Sequence, residues 1–171
     1  LGANTTGNYN TACGMYALQA NTTSNQNTAV GYQALYSNTT ATYGSNTAIG
    51  YNALYSNTTG WQNTACGWSA LYTNSTGNYN TAIGYQALKL NTTSEKNTTT
   101  GYQSMHYNTT GSYNAASGYN ALISNTTGSY NTAFGYYAGN NITTGQYNCC
   151  LGFDAEPSSA TVDDEVVLGN S

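Results

Sequence analysis

The phrase NTAIGYQAL, from Asn80 to Leu88, returns along the chain with small changes. It appears one step earlier as NTACGWSAL from Asn63 and one step later as NTTTGYQSM from Asn97. Nine copies fit in the 171 residues, and they begin at Asn10, Asn27, Asn46, Asn63, Asn80, Asn97, Asn114, Asn131 and Asn148. The usual step is seventeen residues; one step is 19 residues long, with two additional residues around Ala41 and Thr42. A fixed period of this kind is typical of repeat architectures, in which each unit packs on its neighbours.

A helical repeat is disfavoured by composition, because glycine, threonine and asparagine are poor helix formers and a helix pair needs about 30 residues or more. Seventeen residues suit one turn of a β-solenoid, with two short strands and two bends, rising about 4.8 Å per coil. We therefore predict an all-β fold, a parallel β-solenoid of about nine coils with one repeat per coil. One column of the aligned repeats is always glycine and forms the expected structural ladder: Gly14, Gly31, Gly50, Gly67, Gly84, Gly101, Gly118, Gly135 and Gly152.

Alternation along a strand divides the repeat into two faces. One face is expected to carry Asn80, Ala82, Gly84 and Gln86, and to be narrow or closely approached by another backbone. The other is expected to carry Thr81, Ile83, Tyr85 and Ala87. Since a solenoid of this size has one interior, the second face is expected to meet a partner chain or to form an exposed tyrosine ladder.

Charge is scarce: five of the six acidic residues lie from Asp154 onwards, and Lys89 and Lys96 are the only basic residues besides His106. This composition excludes a conventional nucleic-acid binder, which needs a basic surface. No apolar run approaches the roughly 18 residues of a membrane span. We predict a solenoid shaft over residues 1–156, followed over 157–171 by an acidic connecting loop and a terminal strand that lead to a further segment. The chain opens within a repeat and is expected to be an excerpt.

The phrase NTAIGYQAL, together with EVVLGNS from Glu165, resembles the Ala-Ile-Gly head repeats of trimeric autotransporter adhesins. Those repeats are shorter than the ones in this chain and form a trimeric left-handed β-roll. The chain is more similar to tail-fibre-like proteins of bacteriophages and large viruses, in which such repeats run to a closing segment like the one from Gly139 onwards. The resemblance implies an extracellular location on a virion surface or secreted fibril, and self-association, with a homotrimer ahead of an open filament.

The most specific local pattern in the chain is a set of ten Asn-Xaa-Thr/Ser motifs. They begin at Asn4, Asn21, Asn38, Asn57, Asn74, Asn91, Asn97, Asn108, Asn125 and Asn141. All except Asn97 fall near one corner of the repeat. Such motifs are acceptors for N-glycosylation where the machinery exists. The alternative is an asparagine ladder whose amides bond one coil to the next.

Catalytic chemistry finds little support in the repeats. A glycan-cleaving site needs paired carboxylates, and Glu95 is the only acidic residue before Asp154. The terminal acidic residues, Asp154, Glu156, Asp163, Asp164 and Glu165, lack the regular spacing of a calcium loop and favour a solvated loop. His106 shares a column with tyrosines and is predicted to be a surface aromatic substitute. We predict no enzyme activity, no cofactor and no metal site.

The four cysteines are predicted to be unpaired within the chain. Cys13 and Cys66 share a column three coils apart, about 14 Å, which exceeds the roughly 7 Å Cα separation of a disulfide. Cys149 and Cys150 are adjacent and point to opposite faces. Cys13 and Cys66 are expected to act as small apolar fillers.

Three functions are compatible with such a repeat. The favoured one is a non-catalytic shaft of an extracellular fibre. The alternative is an adhesin-type module whose tyrosine and Asn/Thr ridges bind cell-surface glycans. Ice binding by threonine columns, such as Thr47, Thr64 and Thr81, is a third hypothesis, although no Thr-Xaa-Thr face repeats cleanly. Receptor-binding tips usually carry long irregular insertions, and the single two-residue insertion therefore favours the shaft.

Overall fold

The computed structural model describes residues 1–40 and 43–169, and within these ranges the chain contains strands and turns and no helix. Ala41 and Thr42, which mark the insertion, lie outside the described residues. Ten strands of three residues each follow one another: β1 Thr11–Cys13, β2 Thr28–Val30, β3 Thr47–Ile49, β4 Thr64–Cys66, β5 Thr81–Ile83, β6 Thr98–Thr100, β7 Ala115–Ser117, β8 Thr132–Phe134, β9 Cys149–Leu151 and β10 Val166–Leu168.

The ten strands form one parallel sheet in which every strand lies beside the next one in sequence. Equivalent repeat positions pair with each other, so that Ala82 lies between Ala65 and Thr99. The longer step is absorbed without loss of register, because Ala29 still pairs with Ala48. The predicted parallel β-solenoid is confirmed: about nine turns of the chain stack on one another, and each turn is one repeat.

The interior is narrow and lined by small side chains together with one leucine in most coils and Met105 in the sixth. Ala82, Ala87 and Leu88 are fully buried, as are their equivalents in most other coils. Ala82 therefore lies on the narrow face that strand alternation predicts for it. The outward placement predicted for Ala87 is wrong, because the chain stops being a strand at Gly84 and turns inward.

The second strand predicted for each coil is also wrong, because that side of the coil is built from turns. In the fifth coil, Gln86 and Leu88 have φ angles of +53° and +52°, in the left-handed region that L-residues seldom occupy. Their amides point in opposite directions along the axis: Gln86 N donates to Trp68 O at 2.9 Å, and Leu88 N donates to Ser104 O at 3.0 Å. Each coil is thus bonded to both neighbours without a second sheet.

Hydrogen bonding between coils continues beyond residue 156. Strand β10 pairs with β9 through Val167 and Cys150, and Thr143 N donates to Ala160 O at 2.8 Å. The acidic segment therefore follows the same coil path as the repeats before it.

Candidate functional site

Most of the Asn-Xaa-Thr/Ser motifs place their asparagine inside the solenoid. Asn74 is representative: its Nδ2 donates to Asn57 Oδ1 at 2.9 Å and to Gly77 O at 3.0 Å. We call this the sequon column, and seven of its members are 0 % exposed: Asn21, Asn38, Asn57, Asn74, Asn91, Asn108 and Asn125. Their amides form a continuous ladder between coils, which is the structural alternative to glycosylation of these motifs.

Of the remaining three motif asparagines, Asn4 continues the sequon column, because its Oδ1 accepts from Nδ2 of the next member at 2.9 Å, whereas Asn97 and Asn141 lie in other columns. Asn97 lies in the column that precedes each strand; it is 0 % exposed, and its Nδ2 donates to Gly111 O at 2.9 Å. Asn4 is exposed, and Asn141 is half-buried with its Nδ2 donating to Pro157 O at 3.1 Å. A glycan is attached at Nδ2, and in the seven buried members of the sequon column and in Asn97 this nitrogen is enclosed within the folded solenoid.

The sequon column ends at Ile142, a feature that the motif pattern does not predict. Alignment of the columns places Ile142, and not Asn141, above Asn125. Asn125 Oδ1 is consequently buried without a hydrogen-bond partner. Gly139 stands in the leucine column of the same coil, and a Cβ built there would lie 3.3 Å from Ile142 Cδ1. The isoleucine therefore fills volume that the missing leucine leaves.

The glycine column is a place of close backbone approach. Gly84 has a φ of +138°, and a Cβ at this position would lie 2.2 Å from Gly101 O, the equivalent residue of the next coil. Both the dihedral angle and the contact exclude a side chain. The predicted lack of space at this column results from contact between the glycine backbones of successive coils along the solenoid axis.

One side of the sheet forms a continuous exposed surface, which we call the sheet face. It consists of the outward residue at each end of every strand and the residue after each glycine of the glycine column, which is methionine in the first coil and aromatic in the following eight. In the fifth coil these are Thr81, Ile83 and Tyr85, of which Ile83 is 42 % and Tyr85 is 40 % exposed. Across the described residues, these three columns contain no charged side chain. Large apolar side chains recur along this surface, interrupted by Thr100 and Ser117 in the sixth and seventh coils, and exposed apolar area of this extent is unusual on a monomeric protein.

The aromatic column of the sheet face is a stack of rings. Tyr85 and Tyr102 have ring centroids 5.0 Å apart and planes inclined by 6°. The stack is continuous over eight rings: Tyr32, Tyr51, Trp68, Tyr85, Tyr102, Tyr119, Tyr136 and Phe153. Because each ring covers the face of the next, a ligand approaching the side of the stack meets ring edges and hydroxyl groups.

A second aromatic cluster, at the bend that precedes the strands, has a different geometry. Tyr43 and Trp61 are 5.1 Å apart with planes at 56°, and Trp61 and Tyr79 are 4.4 Å apart at 67°. Two adjoining depressions, of about 330 and 490 Å³, meet at Tyr43. We call them together the corner trough; they are lined by Asn8, Tyr9, Asn25, Gln26, Tyr43, Trp61, Gln62 and Tyr79.

His106 is buried, so its predicted surface position is wrong. It is 7 % exposed, its Nδ1 has no hydrogen-bond partner, and its ring packs edge-on to Tyr107 at 4.6 Å. Burial, and secondarily the positive charge of Lys89, hold the pKa of His106 below its ordinary value of 6.5, while a hydrogen bond with the backbone of Gln86 raises it in part.

The four cysteines are unpaired, as predicted. Cys13 is exposed and Cys66 is half-buried, both in the apolar column of the sheet face, which is the face predicted for them. Their position follows from Ala12 and Ala65, which take the inward position of the strand. Cys150 is buried, and burial, with smaller effects of Cys149 and Glu165, raises the pKa of its thiol to about 11.

The acidic residues near the end of the chain bond to nearby backbone and hydroxyl groups. Asp163 Oδ1 accepts from Gln146 N at 2.7 Å, and Glu165 Oε2 accepts from Ser158 N at 3.0 Å and from Ser158 Oγ at 2.8 Å. Among residues 1–40 and 43–169, no three His, Cys, Asp or Glu side chains are grouped so that they hold a metal ion.

Comparison with protein-family models, with curated proteins and with solved structures finds no match to this chain. The described ranges contain no helical segment with the length and apolar character of a membrane span.

Proposed function

We propose that this chain is a non-catalytic shaft segment of an extracellular fibre and that copies of it associate through the sheet face. The observation that carries the proposal is the sheet face itself, an uncharged surface that keeps the same three columns from coil to coil. A second copy presents the same axial spacing, so side chains that interdigitate in one coil do so in all. The extracellular location rests on the resemblance of the repeats to those of adhesins and tail fibres.

The size of the sheet face supports self-association. Ten strands at about 4.8 Å give a length of about 45 Å, and the five residues from the threonine to the aromatic span about 13 Å. The resulting area, roughly 600 Å² per chain, approaches the roughly 800 Å² that each partner buries in a standard stable interface. A homotrimer, in which each chain contacts two others, is the assembly that we expect ahead of an open filament.

Glycosylation is not required for this role. The buried amides of the sequon column already bond one coil to the next.

Sedimentation velocity of two lysine variants tests the proposal. Ile83→Lys introduces a charge at the centre of the sheet face and is expected to weaken self-association at least tenfold. Thr93→Lys adds the same charge at an exposed bend position and is expected to leave association unchanged. Far-UV circular dichroism checks that both variants remain folded. A monomeric wild-type chain, or an Ile83→Lys variant that associates like the wild type, would contradict the proposal.

A further inference from the structure

We propose that the corner trough binds a neutral saccharide chain, with the rings of Tyr43, Trp61 and Tyr79 as its platform. The site lies on the bend and not on the sheet face, so it does not depend on the proposed shaft role.

The three rings cross the bend diagonally. The asparagine that precedes each strand gives the reference position: Tyr43 lies three residues before Asn46, Trp61 two residues before Asn63, and Tyr79 one residue before Asn80. Because each ring is shifted by one column from the last, the planes tilt and do not cover one another. Rings that share a column have a different geometry. Further along the same bend, Tyr113 and Tyr130 stack with centroids 4.9 Å apart and planes 10° apart.

The tilted rings leave aromatic surface open to a ligand. Tyr43 is 65 % exposed and Tyr79 is 43 % exposed. Other coils fill the equivalent positions with small or polar residues: Gly60 and Gly77 are in the column of Tyr43, and Asn25 and Asn78 are in that of Trp61. The coil therefore folds without aromatic residues at these two positions, and the presence there of the exposed Tyr43 and the half-buried Trp61 is better explained by recognition of a partner.

The polar residues of the trough are amides. Asn25 Oδ1 accepts from Asn8 N at 2.8 Å, and Gln26 Oε1 accepts from Ser45 Oγ at 3.1 Å, which orients both side chains. Gln62 lines the second depression beside Trp61. Amides both donate and accept hydrogen bonds.

This lining matches the chemistry of a neutral sugar. A pyranose ring has apolar C–H faces that pack on aromatic rings, and a rim of hydroxyl groups that pair with amides. No residue lining either depression is charged. Lys96 lies beyond Tyr79, with Nζ 5.9 Å from the Tyr79 ring centroid and 2.9 Å from the hydroxyl of Tyr113.

The length of the trough favours a chain over a single sugar. Its lining residues come from five successive coils, from Asn8 to Tyr79. Five coils at a rise of about 4.8 Å span about 19 Å from first to last, enough for several pyranose units in a row.

Isothermal titration calorimetry with soluble hexasaccharides tests the site. The probes are the β-1,4-glucose, α-1,4-glucose and β-1,4-N-acetylglucosamine hexamers, with an oligoproline peptide as an aromatic-binding comparison. Trp61→Asn introduces the residue that the same column has at Asn78, and we expect it to weaken binding of the preferred hexamer at least tenfold. Trp68→Tyr alters the ring stack of the sheet face and is the matched control, with affinity expected within twofold of the wild type.

Two further readouts separate the site from other surfaces. In Trp68→Tyr, Trp61 is the only tryptophan, so its emission is expected to change with the preferred hexamer in a saturable manner. Binding is expected to be unaffected by about 0.5 M NaCl, which screens charges separated by more than roughly 4 Å. Absence of saturable binding to all three hexamers, a loss in Trp68→Tyr equal to that in Trp61→Asn, binding suppressed by salt, or binding of oligoproline alone would each overturn the proposal.

Discussion

Asn74 illustrates how single residues hold consecutive coils together. Its amide nitrogen bonds to Asn57 in the coil before and to Gly77 in its own coil, while its oxygen accepts from Asn91 in the coil after, at 2.7 Å. An aspartate would supply no donor here, and a leucine would leave the neighbouring amides unpaired. Buried asparagine therefore links the coils by hydrogen bonds as the buried alanine and leucine columns do by packing.

Gly84 gives a first prediction for a single residue. Gly84→Val places a side chain against Gly101 O with a φ of +138°, and we expect it to lower the free energy of unfolding by about 3 kcal/mol or more. Gly111→Ser is the comparison: a Cβ there also lies close to a backbone oxygen, Gly128 O at 2.2 Å, but Ser94 shows that this column admits a serine, so we expect a smaller loss. Urea denaturation followed by circular dichroism measures both. Equal losses for the two variants would mean that the glycine column is not specially constrained.

His106 gives a second prediction, which concerns pH. Its folded-state pKa lies below 6.5, so below that pH the unfolded chain binds a proton more readily than the folded one, and stability falls as the pH is lowered from about 7 towards the folded-state pKa. His106→Ile introduces the residue that Ile123 contributes one coil later, and we expect it to remove this component. Thermal melting at pH 7 and pH 5 compares the variants. Identical pH dependence with and without His106 would contradict the burial of the imidazole.

Within a single coil, the sixth repeat shows how paired substitutions are accommodated. Thr99 and Ser104 replace two alanines of the neighbouring coils, both are 0 % exposed, and Thr99 Oγ1 donates to Ser104 Oγ at 2.5 Å. Ser104 Oγ in turn donates to Ala121 O at 3.2 Å. The two hydroxyl groups thus satisfy each other inside an apolar interior.

A double-mutant cycle tests this coupling. Ser104→Ala alone leaves the Thr99 hydroxyl buried without its partner, and we expect a loss of about 1–3 kcal/mol. Adding Thr99→Ala restores the alanine pair of the other coils and is expected to recover most of that loss. Chemical denaturation of the four proteins gives the coupling energy. Strictly additive losses would show that the two side chains act independently.

The architecture of a coil could be predicted from the sequence only in part. The period and the parallel register follow from the recurrence of the repeat, and the inward position of Ala82 follows from its alternation with Thr81 and Ile83 along the strand. The sequence does not predict that one side of each coil is built from turns, because Gln86 and Leu88 adopt positive φ angles that residues of these types seldom occupy. The surface position predicted for His106 rests on the tyrosines and the lysine of its column, and these residue types do not reveal that the turns bury the imidazole.

The corner trough could not be predicted from the repeat columns. Tyr43, Trp61 and Tyr79 lie in three different columns, and only the stacking of coils brings their rings together. In an alignment of the repeats, Tyr43 and Trp61 are each the one aromatic residue of their column, whereas Tyr79 shares its column with other tyrosines. A comparison of positions that shift by one column in each successive coil finds all three.

Over the full length of the solenoid, the coils form a stack in which distance along the axis is proportional to the number of coils. Three native cysteines provide labelling positions at different heights of this stack. Cys13, Cys66 and Cys149 lie on strands β1, β4 and β9 and are exposed or half-buried. Cys150→Ala, which supplies the alanine found at this position in most coils, removes the buried thiol.

Spin-label distances between these cysteines, taken in pairs, test the stack most directly. The cysteine omitted from each pair is replaced by the residue of a neighbouring coil, and labelled protein is diluted with unlabelled protein to suppress distances between chains. Backbone separations of about 14 Å from Cys13 to Cys66, about 24 Å from Cys66 to Cys149 and about 38 Å from Cys13 to Cys149 are predicted at a rise of about 4.8 Å per coil. The first two distances should add up to the third. Distances that fail to add, or that do not increase with the number of coils between the labels, would contradict the in-register solenoid.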